Sequence, residues 1–303
     1  MAAGSSAFPS VSVIIPVYND PRRLRLCLEC LGAQTYPGDR FEVIVVDNAS
    51  RESVVPIVSE FPFARSIEEP APSVYTARNR GLKEARGEVI AFTDADCLPT
   101  PRWLERGVEA TLKLEGCGIV AGAVDLFPRD SAKPTAVELY EMLYRPLGQP
   151  GLRDGSKVAT ANLFTLRRVV DDVGPFRDGL KTGGDFEWSQ RVAARGYALA
   201  FCEEALVRHP ARRTLREVCG RALRAAGGGH RQATDEGVRG LRLVRQFLGG
   251  ILGPSDAARL RLLRRYEGVG LHTKLGVVAV ALIVRAVILA ERLRLLAGGE
   301  AHR

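Results

Sequence analysis

The chain has 303 residues, of which 46% are hydrophobic and 26% charged, and this composition excludes a disordered, a collagen-like or a polytopic membrane protein. Its six cysteines are too few for a disulfide scaffold and indicate a reduced, cytosolic protein. Residues 1–207 carry 24 Lys and Arg against 28 Asp and Glu, whereas residues 208–303 carry 19 Lys and Arg against 7 Asp and Glu. The acidic front part is suited to a metal, and the basic tail is suited to an anionic partner.

The first hundred residues alternate between strand and helix patterns, which predicts a parallel sheet with right-handed crossovers. The predicted strands are Val11–Val17, Phe41–Val46, Phe63–Glu68 and Glu88–Thr93, and the predicted helices run from Pro21 to about Gln34, from Ser73 to about Ala85, and from Pro101 onward. Ligands of such sheets bind at the carboxyl ends of the strands. Two of these strands end directly in an aspartate, Asp47 and Asp94.

The pattern changes after residue 115, and helices dominate from Thr214 onward. The predicted elements are strands at Cys117–Phe127, Thr160–Leu166, Leu199–Phe201 and Leu206–Val207, and helices at Thr135–Leu147 and from Gly183 to about Arg195. The triplet Gly227–Gly229 predicts a break or hinge. We therefore expect an N-terminal tail at 1–9, an α/β domain at 10–210 and a helical, basic region at 211–303.

One strongly apolar segment, Leu275–Ala290, is interrupted by Arg285. A spanning helix needs about 20 apolar residues, and an arginine near the bilayer centre costs about 2.5–3.5 kcal/mol. A helix over 275–296 that lies in the membrane interface is therefore favoured over a span. A core helix is the second interpretation, and a full span is the third.

Two carboxylates, Asp94 and Asp96, follow the fourth strand with one residue between them. Such a pair suits a hard divalent cation that also contacts phosphates, although a solvated acidic turn has the same sequence. Asp47 suits a hydrogen bond to a ribose hydroxyl or a base N–H, and a helix cap is the alternative.

Further candidates lie in the second half. Asp185, at the start of a predicted helix, suits either a side chain that projects into a pocket or a helix cap. Residues two apart do not share a helix face, so Glu187 should have a different role and suits an ion pair with a basic neighbour. His209 is a candidate metal or phosphate contact, although a single histidine is more often structural. Cys27 and Cys30 have no partner pair at zinc-site spacing.

The order of these motifs resembles family 2 glycosyltransferases of the GT-A fold over residues 10–210. The segments that carry the resemblance are Val13–Asn19, Val43–Ser50, Ala77–Leu82, Gly87–Asp96 and Gly183–Trp188. The resemblance implies an α/β fold with a Rossmann-like, mostly parallel sheet flanked by helices, followed here by the Arg-rich helical extension. It also implies an inverting transfer of a sugar from a nucleotide diphosphate sugar, with the nucleotide-sugar half at about 10–100 and the acceptor half at about 101–210.

The resemblance further assigns roles to individual positions. Donor contacts are implied for Pro16, Tyr18, Asn19, Asp47, Arg78, Asn79 and Asp94. Mg²⁺ or Mn²⁺ would be held by Asp96 and Asp94, with His209 as a further candidate ligand. Asp185 corresponds to the catalytic base, and Asn162, Gly184, Glu187 and Trp188 lie on the acceptor side. Two positions depart from the family pattern, since Gly184 stands where the family often has Glu and Asn48 where it more often has a second Asp.

The expected donor is a UDP-sugar and the expected acceptor a glycan or a lipid-linked molecule. The basic tail suits an anionic membrane surface, so we expect a peripheral protein at the cytoplasmic face; a solvated basic helix pair is the alternative. A non-catalytic nucleotide-sugar-binding scaffold, suggested by Gly184 alone, and a nucleic-acid-binding protein that uses the Arg-rich tail are competing hypotheses.

Overall fold

The computed structural model describes residues 8–144, 158–178, 180, 182–235 and 269–299. The chain divides into two compact units. The first unit comprises residues 1–125, 147–180 and 184–209, and the second comprises residues 126–146, 181–183 and 210–303.

Four parallel strands form one half of the sheet in the first unit, as predicted. They are β1 (Val11–Val17), β2 (Phe41–Asp47), β3 (Ala64–Glu68) and β4 (Val89–Thr93), arranged in the order β3-β2-β1-β4. Every residue of β1 and β4 is buried, because helices cover both faces of a parallel sheet. Long β-branched runs therefore fit these strands, and polar groups reach a ligand only where the strands end.

The other half of the sheet is antiparallel. It is built from β5 (Leu98–Pro99), β6 (Cys117–Phe127), β7 (Asn162–Leu166) and β8 (Ala198–Pro210), so the full order is β3-β2-β1-β4-β7-β6-β8-β5. The predicted α/β class is confirmed, with a mixed sheet. The two short strands expected at Leu199–Phe201 and Leu206–Val207 are one strand, because Glu203 and Glu204 between them are exposed and do not interrupt it.

Helices cover both faces of this sheet. In chain order they are α1 (Pro21–Gly32), α2 (Val55–Val58), α3 (Val74–Glu84), α4 (Trp103–Lys113), α6 (Arg167–Val173) and α7 (Gly184–Ala194). Asp20 caps α1 by accepting from the Arg23 N–H, and Ser73 caps α3 by accepting from the Tyr75 N–H. The cap at Ser73 fixes where α3 begins relative to the strand ends.

Alternate residues of each central strand fill two separate cores. Ile15 and Val45 face the core that contains Leu24 and Leu28 of α1, whereas their neighbours Ile14, Ile44 and Val46 face the other. The second core also contains Phe92, Phe176 and Trp188. Because both faces are packed, the strand ends are held in place from two sides.

The second unit contains α5 (Ala136–Tyr144), α8 (Leu215–Asp235) and α9 (Leu271–Leu296). The predicted break at Gly227–Gly229 is wrong, because α8 runs through it without interruption. A side chain at Gly228 would lie 2.9 Å from the Thr182 hydroxyl oxygen, so this glycine permits a close approach of two segments. The remaining predicted helical residues 145–147 and the stretch 236–268 lie outside the described residues.

Two buried carboxylates of α5 pair with arginines in this unit. Glu138 and Glu141 are each only 1% exposed. Glu141 lies 3.1 Å from a guanidinium nitrogen of Arg212 and 3.6 Å from Arg221, while Arg213 lies 3.5 Å from Glu138. Part of the arginine excess therefore neutralises buried acids and is not a solvated basic surface.

Gly87, between α3 and β4, lies directly against the backbone of β1. An alanine Cβ there would overlap the main chain of Val11 and Ser12, which cannot move within a packed sheet. We expect Gly87→Ala to lower the free energy of unfolding by about 1–3 kcal/mol, measured by urea denaturation. The matched variant Gly38→Ala, whose Cβ would meet nothing within 4 Å, should change it by less than about 1 kcal/mol. Equal effects of the two changes would contradict the close contact.

Candidate active site

The loops that follow β1 and β2 are joined by two hydrogen bonds at the carboxyl edge of the sheet. The Asn19 N–H donates to the Ser50 hydroxyl at 2.9 Å, and the Arg51 N–H donates to Asn19 Oδ1 at 2.8 Å. Asn19 has a positive φ of 51°, a conformation that asparagine tolerates better than most residues. Asn19 therefore shapes the loop that carries Tyr18, whose surface is 62% exposed.

Asp47 ends β2 as predicted and is buried. Its Oδ1 accepts from the Ser50 N–H at 3.0 Å, so it stabilises a turn and does not cap α2, which begins at Val55. A cavity of about 430 Å³ opens beside it. The cavity is lined by Asp47, Val54, Val55, Ser66, Ile67, Glu68 and Arg80.

Asp94 is held by a buried arginine. A guanidinium nitrogen of Arg78 lies 2.7 Å from Asp94 Oδ1, and Nε of Arg78 is buried without a hydrogen-bond partner among the described residues. Buried guanidinium groups are normally fully hydrogen-bonded. The pair therefore fixes one carboxylate of the Asp94–Asp96 motif beside a cation that retains unused bonding capacity.

Asp96 faces a histidine that the sequence could not place. The Nε2 atom of His209 lies 3.3 Å from Asp96 Oδ2, and a guanidinium nitrogen of Arg23 lies 3.9 Å from the same oxygen. The antiparallel pairing of β5 with β8, in which Leu98 is opposite Arg208, brings His209 to this position. The structure thus joins the two carboxylates and the candidate histidine at one edge.

The donor set at this edge suits a divalent cation that also binds phosphate. Carboxylate oxygens and one imidazole nitrogen match the preferences of Mn²⁺, and Mg²⁺ accepts the oxygens. Among the described residues, however, no group of three or more His, Cys, Asp or Glu is arranged to hold an ion on its own. The residues therefore supply only part of the ligand set that such a cation needs.

Asp185 is the second residue of α7 and faces the same region of the first unit. Its Oδ1 accepts from the Phe186 N–H at 3.1 Å and from the Tyr75 hydroxyl at 3.3 Å. Burial raises the pKa of its carboxyl; the negative charge of Asp94 adds to this, and the positive charge of Arg78 opposes it. A carboxylate with a raised pKa is better suited to accept a proton than an exposed aspartate.

Two residues with expected ligand contacts are hydrogen-bonded within the fold. The Asn79 amide donates to the Phe176 carbonyl at 2.8 Å and accepts from the Phe176 N–H at 2.9 Å, which ties α3 to the loop before α7. The Asn162 amide bridges β6 and β8 through the carbonyls of Ala123 and Ala205. Both N–H donors of each amide are therefore already engaged by the fold.

Trp188 is likewise fully buried, and its indole N–H donates to the Gly174 carbonyl at 2.9 Å. Glu187 pairs with Arg191 at 2.8 Å, the ion pair that its position two residues after Asp185 suggested. Pro16 lies inside β1 opposite Val46. These three positions stabilise the surroundings of the site.

Sequence reasoning missed Tyr75 and Arg23. Tyr75 lies three residues before Arg78, and hence on the same side of α3, a spacing that could have marked it. Arg23 follows the Asp20 cap of α1, but nothing in the sequence relates it to Asp96, 73 positions away. Two buried thiols were also not assigned: Cys27 contacts the carbonyl of Asp94, and Cys97 contacts that of Ala161.

The chain is similar to glycosyltransferases in both sequence and fold. The sequence profile described as Glycosyl transferase family 2 matches residues 12–174. Glycosyltransferase AglE of Haloferax volcanii is 38% identical over 214 residues, which are 69% of each chain. The mannosyltransferase PcManGT of Pyrobaculum calidifontis, solved with GDP-Man and Mn²⁺, superposes with a TM-score of 0.64 at 20% identity, covering 97% of this chain and 89% of that one. GalNAc-T7, solved with UDP, GalNAc and Mn²⁺, has a TM-score of 0.54 at 16% identity, covering 68% and 44%.

The raised pKa of Asp185 predicts a pH-dependent effect on stability. The folded protein binds this proton more readily than the unfolded chain, so ionisation above the folded-state pKa destabilises the fold. We expect Asp185→Asn to raise the free energy of unfolding near pH 7.5, by about 1.4 kcal/mol for each unit of pKa shift.

The gain should shrink as the pH falls and vanish below the pKa of the unfolded carboxyl, as measured by urea denaturation between pH 4 and pH 8. Asp171→Asn, at an exposed position on α6, is the matched control and should change little across this range. A gain from Asp185→Asn that persists unchanged at pH 4 would contradict the electrostatic explanation.

Proposed function

Because the chain belongs to glycosyl transferase family 2, we propose that this glycosyltransferase transfers a sugar, with inversion, from a nucleotide diphosphate sugar to a hydroxyl of a glycan or lipid-linked acceptor. The observation that carries the proposal is the position of Arg78. It pairs with Asp94 at 2.7 Å, and its charge opposes the burial that raises the pKa of Asp185. Two carboxylates therefore lie around one guanidinium. Asp94 is suited to hold a cation that binds the diphosphate, and Asp185 is suited to remove a proton.

In the proposed reaction Asp185 accepts the proton of the acceptor hydroxyl. The acceptor oxygen forms a bond to the anomeric carbon from the face opposite the diphosphate. The bond from that carbon to the diphosphate oxygen breaks, and the nucleoside diphosphate leaves with the electron pair. Attack from the opposite face inverts the configuration, so a single carboxylate base suffices.

Two cationic groups flank the departing diphosphate in this proposal. Arg78 retains an unpaired buried N–H donor, and Arg23 lies 3.9 Å from Asp96, so both are positioned for charge-assisted hydrogen bonds to phosphate oxygens. Asp96, Asp94 and His209 would hold Mg²⁺ or Mn²⁺, which when bound supplies positive charge to the leaving diphosphate. Both structural neighbours were solved with Mn²⁺.

For the nucleotide we propose a UDP-linked donor that contacts Asp47 and Tyr18. Asp47 lies beside the 430 Å³ cavity, and the exposed Tyr18 ring stands on the neighbouring loop. A carboxylate accepts a base or ribose donor, and an exposed ring stacks on a planar base. The two neighbours were solved with GDP-Man and with UDP respectively, so the choice of base is tested directly below.

We also propose that the enzyme acts at the cytoplasmic face of a membrane, with α9 lying in the plane of the interface. This helix is the one among the described residues that is long and apolar enough to cross a membrane by length and composition. One of its faces, with Val277, Val280 and Val284, packs within the second unit against α5 and α8. The opposite face is exposed and mostly apolar. It consists of Leu271, Leu275, Ala279, Leu282, Ile283, Ala286, Ala290 and Leu293, with the exposed His272 as its one polar residue.

Charge favours the interface over a span. At 100° per residue, Lys274, Arg285 and Arg292 fall on one flank of α9, between its packed and exposed faces. Such a flank lies at the level of anionic headgroups when the leucine face is inserted. A span would carry α8, which packs along α9 and contains Arg221 and Arg224, into the hydrocarbon core at high cost.

The donor proposal is tested by a thermal-shift panel with UDP, GDP, dTDP and CMP, each with and without Mn²⁺. We expect a Mn²⁺-dependent rise in Tm with UDP, because a ligand that binds only the folded state stabilises it. Asp96→Ala should abolish the rise. Asp185→Asn should retain it but lower the rate of sugar transfer at least 100-fold, with general base catalysis contributing about 10²–10⁴-fold.

Asp171→Ala, at an exposed carboxylate of the same unit, serves as the control and should match the wild type. A shift with GDP alone would replace the UDP assignment, and no shift with any nucleotide would overturn the donor site. Full transfer activity in Asp185→Asn would reject this residue as the base.

The membrane proposal is tested by co-sedimentation with phosphatidylglycerol vesicles. We expect Leu275→Glu combined with Leu282→Glu to reduce binding more than tenfold, because burying one leucine side chain is worth about 1.5–3 kcal/mol. Leu112→Glu, at a leucine of α4 that is similarly exposed, should bind as the wild type does. Resistance of the bound protein to alkaline extraction would instead indicate a span, and equal binding of all three proteins would reject α9 as the contact.

A further inference from the structure

Tyr75 occupies the space directly beside the start of α7. Its side chain is buried, and its position in the first turn of α3 is set by the Ser73 cap. Its ring packs 6.0 Å from the ring of Phe176, centroid to centroid. The hydroxyl is thereby directed to Asp185 Oδ1, at 3.3 Å.

Gly184, the residue before Asp185, leaves room for the ring of Tyr75. A Cβ atom on Gly184 would lie 2.9 Å from three ring carbons of Tyr75, the two Cε atoms and Cζ, which surround the hydroxyl. The backbone of Gly184 is not in the left-handed region, so its own conformation does not require glycine. The reason for glycine at 184, where the resemblance suggested a glutamate, is therefore the tyrosine that lies against it.

We propose that Tyr75 is a positioning residue for the catalytic base: its ring packs against Gly184, and its hydroxyl orients the Asp185 carboxylate toward the acceptor. This inference rests on the proposed role of Asp185 as the base. The tyrosine hydroxyl donates one hydrogen bond to Oδ1, as the Phe186 N–H does. Two donors on one oxygen fix the carboxylate plane and leave the second oxygen to receive the proton.

The surrounding charges keep the tyrosine as a donor. Burial and the negative charge of Asp185 raise the pKa of Tyr75 well above its usual value, although Arg78 opposes this. A protonated hydroxyl that donates to the ionised carboxylate stabilises the ionised form. The other charged groups that act on Asp185 are Arg78, which also favours ionisation, and Asp94, which opposes it.

Tyr75→Phe removes the hydroxyl and keeps the ring. We expect kcat to fall about tenfold, because a carboxylate held by the Phe186 N–H alone is less often in the productive orientation. The donor KM and the Mn²⁺-dependent thermal shift should not change. The acidic limb of the kcat/KM profile, measured at saturating Mn²⁺, should move to higher pH, because the ionised base loses a hydrogen bond.

Gly184→Ala displaces the ring from the other side and should reproduce both changes. The kcat of the double variant should be no lower than that of the poorer single variant, since both substitutions break the same hydrogen bond between Tyr75 and Asp185. Tyr197→Phe is the matched control: it removes another tyrosine–aspartate hydrogen bond, 3.1 Å from Asp172 on α6, and should leave kcat and the pH profile unaltered.

A Tyr75→Phe enzyme with kcat within twofold of the wild type and an unmoved acidic limb would overturn the proposal. A fall in kcat with a lowered Tm and an unmoved limb would also overturn it, by showing a purely structural role. Failure of the reaction proposal is distinguishable, because it appears as retained activity in Asp185→Asn regardless of the behaviour of Tyr75.

Discussion

The site depends on the burial of the central strands on both faces. β1 and β4 have no exposed residue, so their polar chemistry is confined to the positions where the strands end. Asp47 and Asp94 lie at two such ends. The two cores, one on each face, hold these ends in place. The polar loops that follow the strands are therefore attached to a rigid edge of the sheet.

Arg78 organises the electrostatics of that edge. A buried guanidinium without a counter-charge is costly, and Asp94 at 2.7 Å supplies one. The same cation opposes the burial that raises the pKa of Asp185. Arg78 thus acts on both Asp94, the carboxylate suited to the cation and diphosphate, and Asp185, the carboxylate suited to proton transfer. A negatively charged donor would add further counter-charge to a cation that is only partly paired.

Several arginines of the second unit pair with buried carboxylates, whereas composition suggested a basic surface. Glu138 and Glu141 are almost fully buried in α5 and collect Arg212, Arg213 and Arg221 around them. Breaking such a pair on one side leaves an uncompensated buried charge, which is strongly destabilising. These arginines therefore stabilise the helical unit against which one face of α9 packs, while the exposed apolar face of α9 remains for the proposed membrane contact.

The sequence alone determined the α/β class, the parallel strands and the identity of the Asp47, Asp94–Asp96 and Asp185 motifs, because periodicity and strand-end residues are local signals. It also identified the family. Tertiary structure alone decided that His209 meets Asp96, since an antiparallel pairing of β5 with β8 joins positions more than 100 residues apart. It likewise decided that Asn79, Asn162 and Trp188 donate hydrogen bonds to main-chain carbonyls, and that Tyr75 faces Asp185. A residue's type and spacing state which chemistry it can perform, but only packing decides whether its polar atoms are already used.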